Sequence, residues 1–111
     1  MAAEDDGGYV YGQTMLHGSM DMSWVWAWTE GKGADLVRIE GYIDVGLMST
    51  VGGHWKSERE YYAEMAYGDE VGTSAEIRWD YNWQMQYTDA VSEHDAQYGS
   101  FISWTVSQAS R

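Results

Sequence analysis

The sequence predicts an all-β domain of about six antiparallel strands, joined in sequence and closed as a small meander barrel or a sandwich. Three observations predict it. Residues 74–87 place Ala75, Ile77, Trp79, Tyr81, Trp83, Met85 and Tyr87 at every second position, with Ser74, Glu76, Arg78, Asp80, Asn82, Gln84 and Gln86 between them. That is the period of a strand with one apolar and one polar face. Shorter runs of the same period recur along the chain, separated by glycine-bearing turns. The 111 residues contain no Pro and no Cys, so turns rest on Gly, Asp and Asn, and neither disulfides nor thiolate metal sites hold the fold. A barrel or sandwich follows because either one hides the sheet edges that a flat sheet would expose.

In chain order, residues 1–8 read as a disordered acidic lead-in, 9–107 as a single β domain and 108–111 as a tail. The first β-prone run, Tyr9 to Leu16, ends at a bend or bulge at His17-Gly18. Met20, Met22, Trp24, Trp26 and Trp28 then share one face, with Asp21, Ser23, Ala27 and Thr29 opposite, and Glu30-Gly31-Lys32-Gly33 makes a turn. Val37, Ile39, Ile43, Val45 and Leu47 form the next core face, with Gly41 and Gly46 marking a bend. Gly52-Gly53 reads as a two-residue hairpin turn. Residues 57–67 fit two patterns. A capping box at Ser57 and Glu60 and a C-terminal Gly68 suit a helix, while alternation of Tyr61, Ala63, Met65 and Tyr67 suits a strand. The short polar loop that follows favours the strand. Residues 74–87 are the long central strand, Thr88 to Gln97 a polar loop or single helical turn, and Tyr98 to Val106 the last strand.

Composition narrows the function. The net charge of −12 excludes binding to nucleic-acid phosphates, which needs Lys and Arg, and disfavours anionic membranes. No apolar run is long enough to cross a bilayer as a helix, and the first residues lack the basic and apolar regions of a signal peptide. The chain reads as soluble, its compartment undetermined, and a mature secreted form is compatible with it. Seven Trp and nine Tyr beside one Phe favour half-buried sheets and binding surfaces, because both side chains join an apolar body to a polar tip.

Two constellations stand out. The first is acidic and tyrosine-bearing: Tyr42, Asp44, Glu58, Glu60, Tyr62, Glu64, Glu76 and Asp80. A hairpin between 57–67 and 74–87 sets Glu64 opposite Arg78, Tyr62 opposite Asp80 and Glu60 opposite Asn82, with Tyr42 and Asp44 on the same face. Its ordinary reading is a solvated outer sheet face; its functional reading is a surface for a basic protein partner. The second is aromatic: Trp24, Trp26, Trp28, Trp79, Tyr81, Trp83 and Trp104. Core packing explains period-2 indoles best, and a cavity for a planar or sugar-like ligand is the alternative. His17, His54 and His94 lie far apart at expected turns without metal-ligand spacing, so no metal site is expected. No nucleophile–base or phosphate-loop motif is present, no cofactor is implied, and the balance leans away from an enzyme.

The sequence therefore predicts a non-catalytic binding protein of the inhibitor, immunity-protein or nucleic-acid-mimic type, whose acidic face meets a basic macromolecular surface. A barrel with a Trp-lined ligand cavity is the alternative. A self-assembling homo-oligomeric subunit is the third reading.

Overall fold

The computed structural model describes the backbone of residues 2–6 and 9–111, with side chains from Tyr9 onward. From Tyr11 the chain forms seven strands: β2 (Tyr11–Gly18), β3 (Met22–Glu30), β4 (Leu36–Ser49), β5 (Trp55–Tyr67), β6 (Glu70–Arg78), β7 (Trp83–Tyr98) and β8 (Phe101–Ser110). Ahead of them the backbone of Ala2–Asp6, within the stretch expected to be a lead-in, runs as β1 beside β2; the remainder of that stretch lies outside the described residues.

All pairings are antiparallel and make two sheets. Sheet I has the order β1-β2-β3-β6 and sheet II the order β5-β4-β7-β8. The architecture is a sandwich, one of the two closures the alternation allowed. Its connections are not sequential throughout: β6 returns to pair with β3 after β4 and β5 have crossed to the other sheet, and β7 pairs with β4. Such crossings are the Greek-key way of joining two sheets. Residues 57–67 lie within β5, a strand, as the alternation favoured.

The long strand expected over 74–87 is two strands on different sheets. β6 ends at Arg78 and β7 begins at Trp83. Between them Asp80 Oδ1 accepts the Asn82 amide at 2.9 Å and the Asp80 carbonyl accepts the Trp83 amide at 3.1 Å, an Asx-type turn. Trp79 anchors the crossing by donating its indole N–H to the Met20 carbonyl at 2.8 Å and its amide to the Asp21 carbonyl at 2.9 Å. The loop expected over Thr88 to Gln97 is the second half of β7. The turn at Gly52-Gly53 is there, both glycines at positive φ, but the link spans residues 50–54 rather than two residues.

The inner faces explain the misread stretch. Sheet II contributes Val37, Ile39, Ile43, Val45 and Leu47 from β4, all fully buried. Each such side chain stabilises the fold by roughly 1.5–3 kcal/mol relative to exposure. Elsewhere the inward positions are small or polar: Ser23, Val25, Ala27 and Thr29 on β3; Thr88, Ala90, Ser92, His94 and Ala96 on β7; Ser103, Thr105, Ser107 and Ala109 on β8. The tryptophans of β3 and the apolar run of β8 face outward, the reverse of the expected core assignment.

Burying hydroxyls costs little when they bond one another. Tyr62 OH lies 2.6 Å from Ser92 Oγ, which is 2.8 Å from Thr14 Oγ1, itself 2.6 Å from Ser107 Oγ. Ser107 Oγ is 2.7 Å from His94 Nε2, and His94 Nδ1 is 2.7 Å from Thr29 Oγ1. Among the described residues no buried side-chain N or O atom lacks a partner. His94, expected at an exposed turn, is therefore a core residue with no exposed surface. Gly12 makes room for it: a Cβ there would sit 2.1 Å from the His94 ring.

Candidate functional site

The outer face of sheet II gathers more chemistry than any other surface. It is built from alternate residues of four strands in one register. Rows across β5, β4 and β7 read Met65–Arg38–Asp95, Ala63–Glu40–Glu93, Tyr61–Tyr42–Val91 and Arg59–Asp44–Asp89. β8 continues these rows with Trp104, Val106, Gln108 and Ser110.

Carboxylates face each other twice across the central strands, Glu40 opposite Glu93 and Asp44 opposite Asp89. Like charges directly opposite on a sheet are destabilising. Partners at the margins offset part of this. Arg38 lies 3.7 Å from Asp95, Arg59 lies 3.6 Å from Asp44, and Ser110 donates to Asp89 at 2.6 Å. The Arg59 guanidinium also sits 3.9 Å over the Tyr42 ring, which packs edge-on against Tyr61 at 6.4 Å. Glu40 and Glu93 enter none of these pairs. Burial lifts the Asp95 carboxyl above its usual range; the Arg38 cation opposes that lift and the Glu40 charge adds to it.

Exposed apolar side chains border this acidic strip. On β5 stand Tyr61, Met65 and Tyr67, the last 86% exposed; on β8 stand Ile102, Trp104 (63%) and Val106. Between them, beside Ala63, a shallow hollow of about 430 Å³ is lined by Arg38, Glu40, Met65, Glu93 and Asp95.

Of the eight residues predicted for a basic partner, Tyr42 and Asp44 lie on this face. Glu58, Glu60, Tyr62 and Glu64 project from the other side of β5, where Glu58 pairs with Lys56 at 3.0 Å and Tyr62 is buried. Glu76 is on the outer face of sheet I, opposite Trp24 and 3.1 Å from Arg78; Asp80 is in the β6–β7 turn. The pairs Glu64–Arg78, Tyr62–Asp80 and Glu60–Asn82 do not form, because β5 pairs with β4 and β6 with β3. Sequence reasoning missed Glu40, Asp89, Glu93 and Asp95. The alternation of acids with small residues along β7 was the signal for the last three.

The seven aromatics of the alternative reading line no common interior. Trp24, Trp26 and Trp28 run along the outer face of sheet I, the last two with ring centroids 5.2 Å apart. Trp104 is on the outer face of sheet II. Trp79, Tyr81 and Trp83 do meet, with Met20, Met85 and Arg111, in an open cleft of about 1230 Å³ at one end of the sandwich. One face of the Trp83 ring carries the chain's own Lys56 ammonium, 4.1 Å from the ring centre.

Ser107 and His94 have the contact distance of a nucleophile–base pair, but both are buried in the core and no described cleft reaches them. His17 and His54 are exposed. Among the described residues no three His, Asp or Glu converge to hold a metal ion, and no helix is long and apolar enough to cross a membrane.

No protein-family model matches the chain, and no curated protein does. Among solved structures, the solution structure of R. palustris CsgH is similar over 87% of this chain and 89% of that one, at 10% sequence identity and a TM-score of 0.42.

Proposed function

We propose that this is a non-catalytic binding protein that presents the outer face of sheet II to a basic macromolecular surface. The observation that carries the reading is the two opposed carboxylate pairs, Glu40–Glu93 and Asp44–Asp89, of which Glu40–Glu93 has no Arg or Lys within ion-pair distance among the described residues. A partner's Lys or Arg placed over the strip would relieve that repulsion. Tyr42, Tyr61, Tyr67 and Trp104 would supply rigid contact area at low entropic cost. Such a face suits an inhibitor that occludes a basic site, since charge complementarity raises association rate and selects the partner.

The test compares two variants of equal net charge by titration with an oligolysine peptide. Glu40→Gln with Glu93→Gln should weaken binding about tenfold, ~1.4 kcal/mol, and wild-type binding should weaken as salt is raised. Glu60→Gln with Glu64→Gln, on the other side of β5, should leave it nearly unchanged. Equal losses in both double variants, or binding indifferent to salt, would refute the reading.

A further inference from the structure

We infer that β8 is a self-pairing edge, through which two copies of this chain join sheet II to sheet II in one continuous antiparallel sheet. Backbone geometry is the first ground. Thr88 and Arg111 exchange both of their amide–carbonyl bonds, so the register of β7 and β8 turns the bonding groups of residues 103, 105, 107 and 109 toward β7. The amides and carbonyls of Ile102, Trp104, Val106, Gln108 and Ser110 therefore point to the open side of the sheet. β8 ends the sheet there, and an unpaired row of this kind is a template for another strand.

Charge identifies the occupant. The chain carries −12, and the other edge strands with described side chains bear ionisable ones: Glu70, Glu76 and Arg78 on β6; Lys56, Glu58, Arg59, Glu60 and Glu64 on β5. β8, Phe-Ile-Ser-Trp-Thr-Val-Ser-Gln-Ala-Ser, has none, and it has no Pro or Gly. Two copies paired antiparallel at β5 would bring carboxylate-bearing residues into cross-strand contact, about 5 Å between Cβ atoms. Two copies meeting at β8 leave the acidic rows of β7 and its counterpart three strand spacings apart, about 14 Å. That exceeds the screening length of ~8 Å at physiological salt. An antiparallel pairing about Val106, near the middle of β8, also sets Val106 opposite its own copy with Trp104 of each chain diagonal to it, and pairs Trp104 with Gln108 and Ile102 with Ser110; Ile102, Trp104 and Val106 are all exposed in one copy. Its two-fold axis stands perpendicular to the sheet, so both outer faces look the same way. The inference does not depend on what those faces bind.

Sedimentation and hydrogen exchange on the intact chain test it. The wild type should pass from monomer to dimer as its concentration rises, and added salt should favour the dimer by screening the net charge. That is the opposite direction from salt's effect on a basic ligand. Val106→Lys, and separately Trp104→Pro, which removes an edge-facing donor while sparing the β7 ladder, should each give monomers; Tyr61→Lys on β5 should not. Should either β8 variant fail to fold, the wild type still decides. Its amides at 102, 104, 106, 108 and 110 should exchange at least tenfold more slowly in concentrated than in dilute solution. A monomer up to millimolar concentration, a dimer that survives both β8 variants, or exchange at those amides that ignores concentration overturns the inference.

Discussion

The Tyr62 hydroxyl ends the hydroxyl chain of the core, bonded to Ser92 and 3.2 Å from the Val91 carbonyl. Burial is the main cause that pushes its pKa up to about 12, the Ser92 bond opposing and the Tyr42 charge adding. An unfolded chain ionises this group near the ordinary value of 10 while the folded one keeps it neutral. Its contribution to stability is therefore complete below pH ~10 and is lost as pH rises toward ~12. The full loss is on the order of 2–3 kcal/mol. Tyr62→Phe should flatten the fall in denaturation midpoint across that window relative to wild type, as followed by urea unfolding at stepped pH. An unchanged slope would remove Tyr62 as its source. At this scale the sequence misleads through size. Trp24, Trp26 and Trp28 outrank Ser23, Ala27 and Thr29 in hydrophobicity, yet two sheets drawn close by small inward residues leave no space for indoles between them.

At the scale of elements, the strands whose core side is plainly apolar are legible. β4 shows its face through Val37, Ile39, Ile43, Val45 and Leu47, whereas β5 is legible by period alone, since its alternating Tyr61, Ala63, Met65 and Tyr67 face outward. β7 is half legible. Its inward Thr88, Ala90, Ser92, His94 and Ala96 keep the strand period, but hydropathy hides it because the buried side is as polar as the exposed one. The same strand carries Asp89, Glu93 and Asp95, so losing it as a strand meant losing most of the acidic strip. β4 and β7 hold Glu40 against Glu93, with no bridging cation, at a cost of roughly 0.2–1 kcal/mol. Glu93→Gln should accordingly raise the thermal midpoint by a few degrees while weakening any cationic ligand. A lowered midpoint in calorimetry would show that the pair is not strained.

At the scale of the molecule, the class was legible and the wiring was not. Antiparallel strands and turns without Pro follow from pattern. The passage from sheet I to sheet II at residues 79–82 does not, because Trp79 and Tyr81 continue the alternation straight through the crossing. Asp80-Tyr81-Asn82 is an adequate Asx-turn signal, but seven apolar residues in perfect period outweigh it. A second unseen crossing, at Gly68-Asp69, put β5 and β6 in one hairpin, and the two together assembled an acidic face from residues that belong to both sheets.

The hydroxyl chain through the core has a calorimetric consequence. Unfolding exposes Thr14, Thr29, Thr88, Ser92, Ser107 and His94 along with the aliphatic side chains, while Tyr61, Tyr67, Tyr81 and Trp104 are already largely in water. Hydrating polar surface lowers the heat capacity of unfolding and hydrating apolar surface raises it. The increment per residue should fall below the usual ~12–15 cal/mol/K, giving a broad, shallow stability curve. Scanning calorimetry measures it directly, and a value at or above that range would contradict the account. A protein with such a curve gives up little stability on cooling, so the outer face of sheet II would keep its shape over a wide span of temperatures.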